Sequence, residues 1–273
     1  MNPASLLPAR FQSWTGKLVG GLAGWLLGGW LGALVGVFLG HMYDRARAVV
    51  RPVAEALSRL QETFFRTTFR VMGHLSKADG RVSEAEIRAA EQIMARMNLS
   101  PEQRRAAIGY FREGKSADFD LDAALDVLRG VIRFQPMLAR FFLEVQLEVA
   151  FADGRIDPAE RRLLLRIAER LGLSDEDLRG LESLLRGQRR TGAGARREGH
   201  DSLAAAYQTL GVSPDASDAE VKRAYRRLLS QHHPDKLASQ GLPDEMMRLA
   251  KEKTQHIIAA YETIKEARRG RTQ

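Results

Sequence analysis

The chain has 273 residues, 28% of them charged and 44% hydrophobic, which is too apolar for a disordered polymer and enough for one or two cores of roughly 100 to 150 residues each. Its formal charge of +8 comes from 42 Lys and Arg interleaved with 34 Asp and Glu; with no long basic run, nucleic acid is not an expected partner. Cysteine is absent, so disulfides, thiol nucleophiles and cysteine-ligated zinc are excluded, and the soluble part suits a reducing compartment.

The first predicted element follows a short segment at 1–17. No charge lies between Lys17 and Asp44, and the 23 mostly apolar residues of 18–40 rise about 34 Å as a helix, enough for a hydrocarbon core of about 30 Å. This predicts one transmembrane helix over 18–42, with a juxtamembrane segment at 43–63. A cleaved signal peptide is the rival reading, but its apolar region is typically about 7 to 15 residues and ends at a small-residue cleavage site. Arg10 and Lys17 precede the span, whereas Arg45, Arg47, Arg51 and Arg59 follow it, so the C-terminal part is predicted to be cytoplasmic and the N-terminus external. Gly16, Gly20, Gly24, Gly28, Gly32, Gly36 and Gly40 recur every fourth residue and groove one side of the helix. Such small-residue faces let helices pack closely in lipid, which predicts a homodimer through Gly20, Gly24, Gly28, Gly32, Gly36 and Gly40, with Trp14 and Tyr43 as interfacial anchors.

Over 64–187 apolar residues recur at helical spacing, as in Leu164, Ile167, Ala168 and Leu171, and an all-helical domain is predicted. Ala78-Asp79-Gly80-Arg81-Val82-Ser83-Glu84-Ala85-Glu86 is echoed 74 residues later by Ala152-Asp153-Gly154-Arg155-Ile156-Asp157-Pro158-Ala159-Glu160. Gly80 and Gly154 suit a left-handed helix stop. Ser83 and Asp157 suit the next cap, with Glu86 and Glu160 completing capping boxes and Pro158 at the first helical position. A metal site on Asp79, Asp153 and Asp157 is the alternative, but the spacing lacks the dense oxygen ligands of a calcium loop and places an Arg inside; no metal is expected. The duplicated pattern resembles the tellurite-resistance TerB-like family.

Residues Gly109-Tyr110-Phe111-Arg112-Glu113-Gly114-Lys115-Ser116 fit the G-x-x-x-x-G-K-[ST] phosphate loop letter for letter. The context argues against it: 102–112 reads as helix where a buried strand is needed, and Glu113 would set a negative charge among phosphates. No nucleotide or other cofactor is expected.

A linker is predicted at 188–201, rich in Gly and Arg and without apolar period. The last module, 202–273, begins with a short helix ended by Gly211. Ser217 or Asp218 then caps a second helix whose Val221, Ala224, Tyr225 and Leu228 turn inward while Lys222, Arg223, Arg226 and Arg227 crowd the other face. Proline forces the residue before it out of helical geometry, so this helix stops at His232-His233-Pro234-Asp235. A third helix over 244–267 is predicted to face the second through Ile257, Ile258, Tyr261 and Ile264. His232 and His233 as a metal pair is disfavoured, since adjacent side chains do not converge on one ion without further ligands.

Ala206-Tyr207-Gln208-Thr209-Leu210-Gly211-Val212, then 221–228, His233-Pro234-Asp235-Lys236 and Ala260-Tyr261 follow the J-domain signature in order, and this module is identified as a member of that family. The resemblance implies that His233, Pro234 and Asp235, with Lys222, Arg223, Arg226 and Arg227, engage a DnaK-type chaperone and stimulate its ATP hydrolysis. The chain is then a regulator rather than an enzyme. Gly40-His41-Met42-Tyr43-Asp44-Arg45-Ala46-Arg47 and 241–247 extend the similarity to membrane-anchored DnaJ-like co-chaperones. That resemblance implies a bacterial inner-membrane protein, single-pass, with a periplasmic N-terminus. The general J proteins' glycine-phenylalanine and cysteine-rich segments are missing. A membrane scaffold or envelope-stress sensor acting through the central domain is the competing reading. The fold class expected is all-α throughout.

Overall fold

Helix is the only regular secondary structure among the described residues, which in this computed structural model are 15–78, 84–152, 154–193 and 199–270. They belong to two units, Met1–Arg59 and Leu60–Gln273. The first helix, α1 (Thr15–Leu75), carries the whole first unit from Thr15 onward and opens the second.

The apolar stretch of the first unit, Lys17–Arg45, turns its large side chains outward: Leu18, Leu22, Leu26, Leu27, Trp30, Leu34 and Phe38 are all exposed. An apolar surface this continuous suits hydrocarbon, not water. The predicted span is not straight. Gly28 (φ −147, ψ 19) and Gly29 (φ 60, ψ −144) leave helical geometry, and beyond them the helix doubles back on itself. A Cβ on Gly20 would collide with the Gly36 carbonyl, and one on Gly24 with that of Gly32; the Lys17 amide donates to Asp44 Oδ2 at 3.2 Å. The glycine groove therefore closes within one chain. The arms on either side of the bend, 17–27 and 30–45, are only about 17 Å and about 24 Å long, whereas the segment drawn straight reaches about 43 Å.

The second unit continues with α2 (Glu84–Arg96), α3 (Pro101–Gly114), α4 (Leu121–Val131), α5 (Pro136–Ala150), α6 (Pro158–Arg170) and α7 (Asp175–Ala193). It ends with α8 (Gly199–Leu210), α9 (Asp218–His232), α10 (Pro234–Ser239), a 3-10 turn at Asp244–Met246 and α11 (Met247–Arg269). The main core surrounds α5, whose Leu138, Phe141, Phe142, Leu143, Val145, Leu147 and Val149 are buried on every side, with Phe142 edge-on to Phe64 at 5.8 Å. A helix apolar all round has to be a central one. Gly73 and Gly114 let α1 and α3 cross with backbones touching, since a Cβ on either would collide with the carbonyl of Phe111 or Arg70.

Helix starts follow the capping rules. Ser100 with Gln103, Asp157 with Glu160, and Ser217 with Glu220 form capping boxes, and Pro158 takes the first turn of α6. Gly154 has φ +92, the left-handed conformation read from the sequence repeat. The matching cap in the first copy, 79–83, and Asp153 lie outside the described residues.

Two expectations are corrected. The unpatterned segment at 188–201 is helical over 188–193 and 199–201, with only 194–198 outside the described residues. Gly187 brings α7 against α8 so closely that its Cβ would meet the Thr209 nitrogen at 2.5 Å, a tertiary contact that composition does not encode. Ile258 is exposed at 39%; the inward stripe of α11 runs through Leu249, Ala250, Lys253, Ile257, Ala260 and Ile264 instead.

Candidate functional site

The site is built on α9. Val221, Ala224 and Leu228 fall at helical spacing and are buried with Ile257, Ala260 and Ile264 of α11, while Tyr225 stacks on Tyr261 at 4.2 Å between ring centres. Burying that stripe obliges the rest of the helix to face water, and Lys222, Arg223, Arg226 and Arg227 are all exposed. His232 is the last helical residue. His233 is extended (φ −62, ψ 122), as Pro234 requires, and Pro234 then opens α10, so His233-Pro234-Asp235 forms the corner between two helices.

Local bonds set that corner. His233 Nδ1 accepts from the Asp235 amide at 3.2 Å, Lys236 Nζ donates to Ser230 Oγ at 2.6 Å, and Thr254 Oγ1 donates to the His232 carbonyl at 2.7 Å. Asp235 is exposed, and His233 and Pro234 are half-buried. The seven residues singled out in the sequence thus meet on one helix and its C-terminal corner. His232 and His233 diverge: the first is buried and the second reaches the surface. Among the described residues no group of His, Asp and Glu is placed to hold a metal. The G-x-x-x-x-G-K-S stretch lies on α3 and the turn after it, with Gly114 pressed on α1, and presents no open phosphate cradle.

A second cluster, not predicted, lies behind the corner. Lys253 of α11 is 2% exposed and donates to Glu144 Oε1 of α5 at 2.9 Å and to Glu148 Oε2 at 3.4 Å. His232 Nδ1 stands 3.4 Å from Glu144 Oε2, an oxygen with no hydrogen bond among the described residues. Arg96 of α2 joins Glu148 to Glu252, the latter at 2.7 Å, and Gln103 donates to Glu245 at 2.6 Å. Burial alone would push the Lys253 ammonium down, but Glu144 and Glu148 outweigh it and hold its pKa above the ordinary value. Burial likewise favours a neutral Glu148, yet Lys253 and Arg96 keep its carboxyl below the usual range. Burial depresses the His232 imidazole, with Glu144 opposing, so its neutral form is favoured. The signal for these residues is present in the chain: Glu144 and Glu148 interrupt the apolar run of α5, and Lys253 falls on the inward stripe of α11. Periodicity says that such groups are buried; it does not say which of them meet.

A helical hairpin with an exposed basic face ending in His-Pro-Asp, on a chain with an apolar N-terminal segment, defines a membrane-anchored J-domain protein. Three family models match in order along the chain: the co-chaperone DjlA transmembrane domain over 12–51, tellurite resistance protein TerB over 66–183, and the DnaJ domain over 205–272. Co-chaperone protein DjlA of Coxiella burnetii is 45% identical over 266 residues, 94% of this chain and 98% of its own. That of Vibrio cholerae is 45% identical over 275 residues, covering 92% and 97%, and that of Escherichia coli K12 is 44% identical over 237 residues, covering 83% and 88%. No solved structure matches the chain. The chain belongs to the DjlA co-chaperone family.

Proposed function

We propose that this protein recruits a DnaK-type chaperone to the cytoplasmic face of the bacterial inner membrane through its J domain and stimulates the chaperone's ATP hydrolysis there. The observation that carries the reading is that Lys222, Arg223, Arg226 and Arg227 on α9 and Asp235 at its C-terminal corner are all exposed, with the corner backed by Thr254. Such a basic face attracts an acidic partner at long range and raises the encounter rate, an effect that weakens with salt. His233 bonds within the corner and has no adjoining nucleophile, which suits recognition rather than acid-base chemistry.

The anchor is proposed to cross the bilayer once, N-terminus outside, with the helix straightened at Gly28–Gly29. Glycine has no Cβ to bar the positive φ of Gly29, so both the bent and the helical geometry are open to it. In that form Gly20, Gly24, Gly32 and Gly36 exchange their contacts within one chain for contacts with a second copy, giving a homodimer in lipid. The outward apolar side chains support lipid as the surrounding medium.

The test is single-turnover ATP hydrolysis by the DnaK-type chaperone with the full chain in lipid nanodiscs. His233→Gln is expected to abolish the stimulation while leaving the helical signal unchanged. Full stimulation by that variant sinks the proposal.

A further inference from the structure

The boundary between the central domain and the J domain does not look like a tether. Contacts between domains that move independently are usually polar and modest in area. Here Leu237, Leu242, Met246, Leu249 and Ala250 of the J domain belong to the same buried cluster as Phe141 and Phe142 of α5. The charged groups at the boundary point the same way. Glu144 is fully buried from the central side and Lys253 is 2% exposed from the J side, so each is the other's compensation, and separating the domains would strand both. Arg96 and Gln103 extend the match outward to Glu252 and Glu245, a second pair of contacts made only across this boundary.

The cluster also adjoins the working corner. Glu144 faces His232, the residue before His233, and α11 grips the carbonyl of that same His232 through Thr254. Meanwhile the basic face of α9 stays exposed, so the docked arrangement leaves the proposed chaperone surface open. We infer that the central domain is the docking partner of the J domain of its own chain, and that Glu144, Glu148 and Arg96 hold the His-Pro-Asp corner in the orientation the chaperone meets. These three are positioning residues: they act through Lys253, Glu252 and His232, not on the chaperone. The inference rests on the proposed stimulation of a chaperone ATPase, and it gives the central domain a role in that activity.

The test uses the full chain in lipid nanodiscs carrying Arg96→Glu together with Gln103→Glu. Both changes lie on the central domain and leave the J-domain sequence untouched, and a glutamate at 103 still completes the capping box with Ser100. They set like charges against Glu148, Glu252 and Glu245. Amide hydrogen exchange over 237–257 is expected to rise about tenfold, the effect of about 1.4 kcal/mol on the docking equilibrium. Maximal stimulation of the chaperone is expected to fall several-fold in parallel. Adding Glu245→Lys and Glu252→Lys restores opposite charges and should recover both signals, which damage to the central fold would not do. Unchanged exchange overturns the inference, and so does raised exchange with unchanged stimulation, or a charge swap that recovers neither. If the double variant does not fold, Arg96→Gln alone removes the cation that joins Glu148 to Glu252 while placing no new charge at 96, and should give the same changes at about twofold; no change overturns the inference. His233→Gln, run alongside, reports separately on whether the J domain stimulates at all.

Discussion

Lys222, Arg223, Arg226 and Arg227 line α9 in water, whereas Lys253, on the neighbouring α11, sits between two carboxylates at 2% exposure. Both sets are cationic and both lie on helices of the same hairpin, yet the surroundings give them opposite work. The exposed set keeps its hydration and, in the proposed function, acts at a distance on encounter with a partner, where salt would screen it. The buried lysine has given up its hydration and acts only on what it touches; its strength lies in the penalty for leaving the buried Glu144 without its cation. Charge read along a sequence does not separate these roles. Burial does.

The comparison breaks most visibly at Lys253. Lys253→Met leaves Glu144 uncompensated in a dry site and is expected to destabilise the second unit by about 3 to 5 kcal/mol in chemical denaturation, as loss of one partner of a buried pair generally does. Pairing it with Glu144→Gln removes the stranded charge and should recover much of the loss. If the single variant is as stable as the parent, the cluster is not what holds the boundary.

Acid should act on the buried side next. The folded-state pKa of His232 is depressed by burial, with Lys253 and Arg140 nearby opposing protonation and Glu144 favouring it. A group held neutral in the fold contributes stability that is present above its unfolded pKa and is lost as pH falls through 6.5 toward the depressed value. Melting temperature should therefore drop between pH 7 and pH 5. His74 and His256, also depressed by burial, add to the slope in the same direction, so the decisive quantity is the difference from His232→Gln, which should show a shallower drop.

The exposed side should respond least in stability and most in kinetics. Replacing Lys222 and Arg226 by Ala is expected to leave the melting temperature unchanged, as surface substitutions usually do. It should slow association with the chaperone and flatten the dependence of that rate on salt. A fall in stability with no change in salt dependence would reverse the roles assigned to the two sets.

Much of this arrangement was legible in the chain because it depends on short-range rules. Pro234 ends α9 wherever the helix lies in space, Ser217 with Glu220 and Asp157 with Glu160 start helices through bonds three residues long, and the apolar stripe of α9 obliges Lys222, Arg223, Arg226 and Arg227 to face out. The errors have one physical source as well. Ile258 faces out where the period predicts it inward, and 188–201 is largely helical where composition predicts a tether. In both cases the outcome turns on packing: the stripe of α11 buries Ile257 and leaves Ile258 out, and α8 presses on Gly187.

By itself, then, the sequence determined the all-helical class, the order of anchor, central domain and J domain, and the His233-Pro234-Asp235 corner with its basic approach, because periodicity, capping and proline geometry act within a few residues. Only the tertiary structure decided that Glu144 meets Lys253, residues 109 apart in the chain, and that the J domain shares its core with the domain before it. A buried charge must find a partner, but the chain alone carries no record of which distant partner the packing will bring within 3 Å.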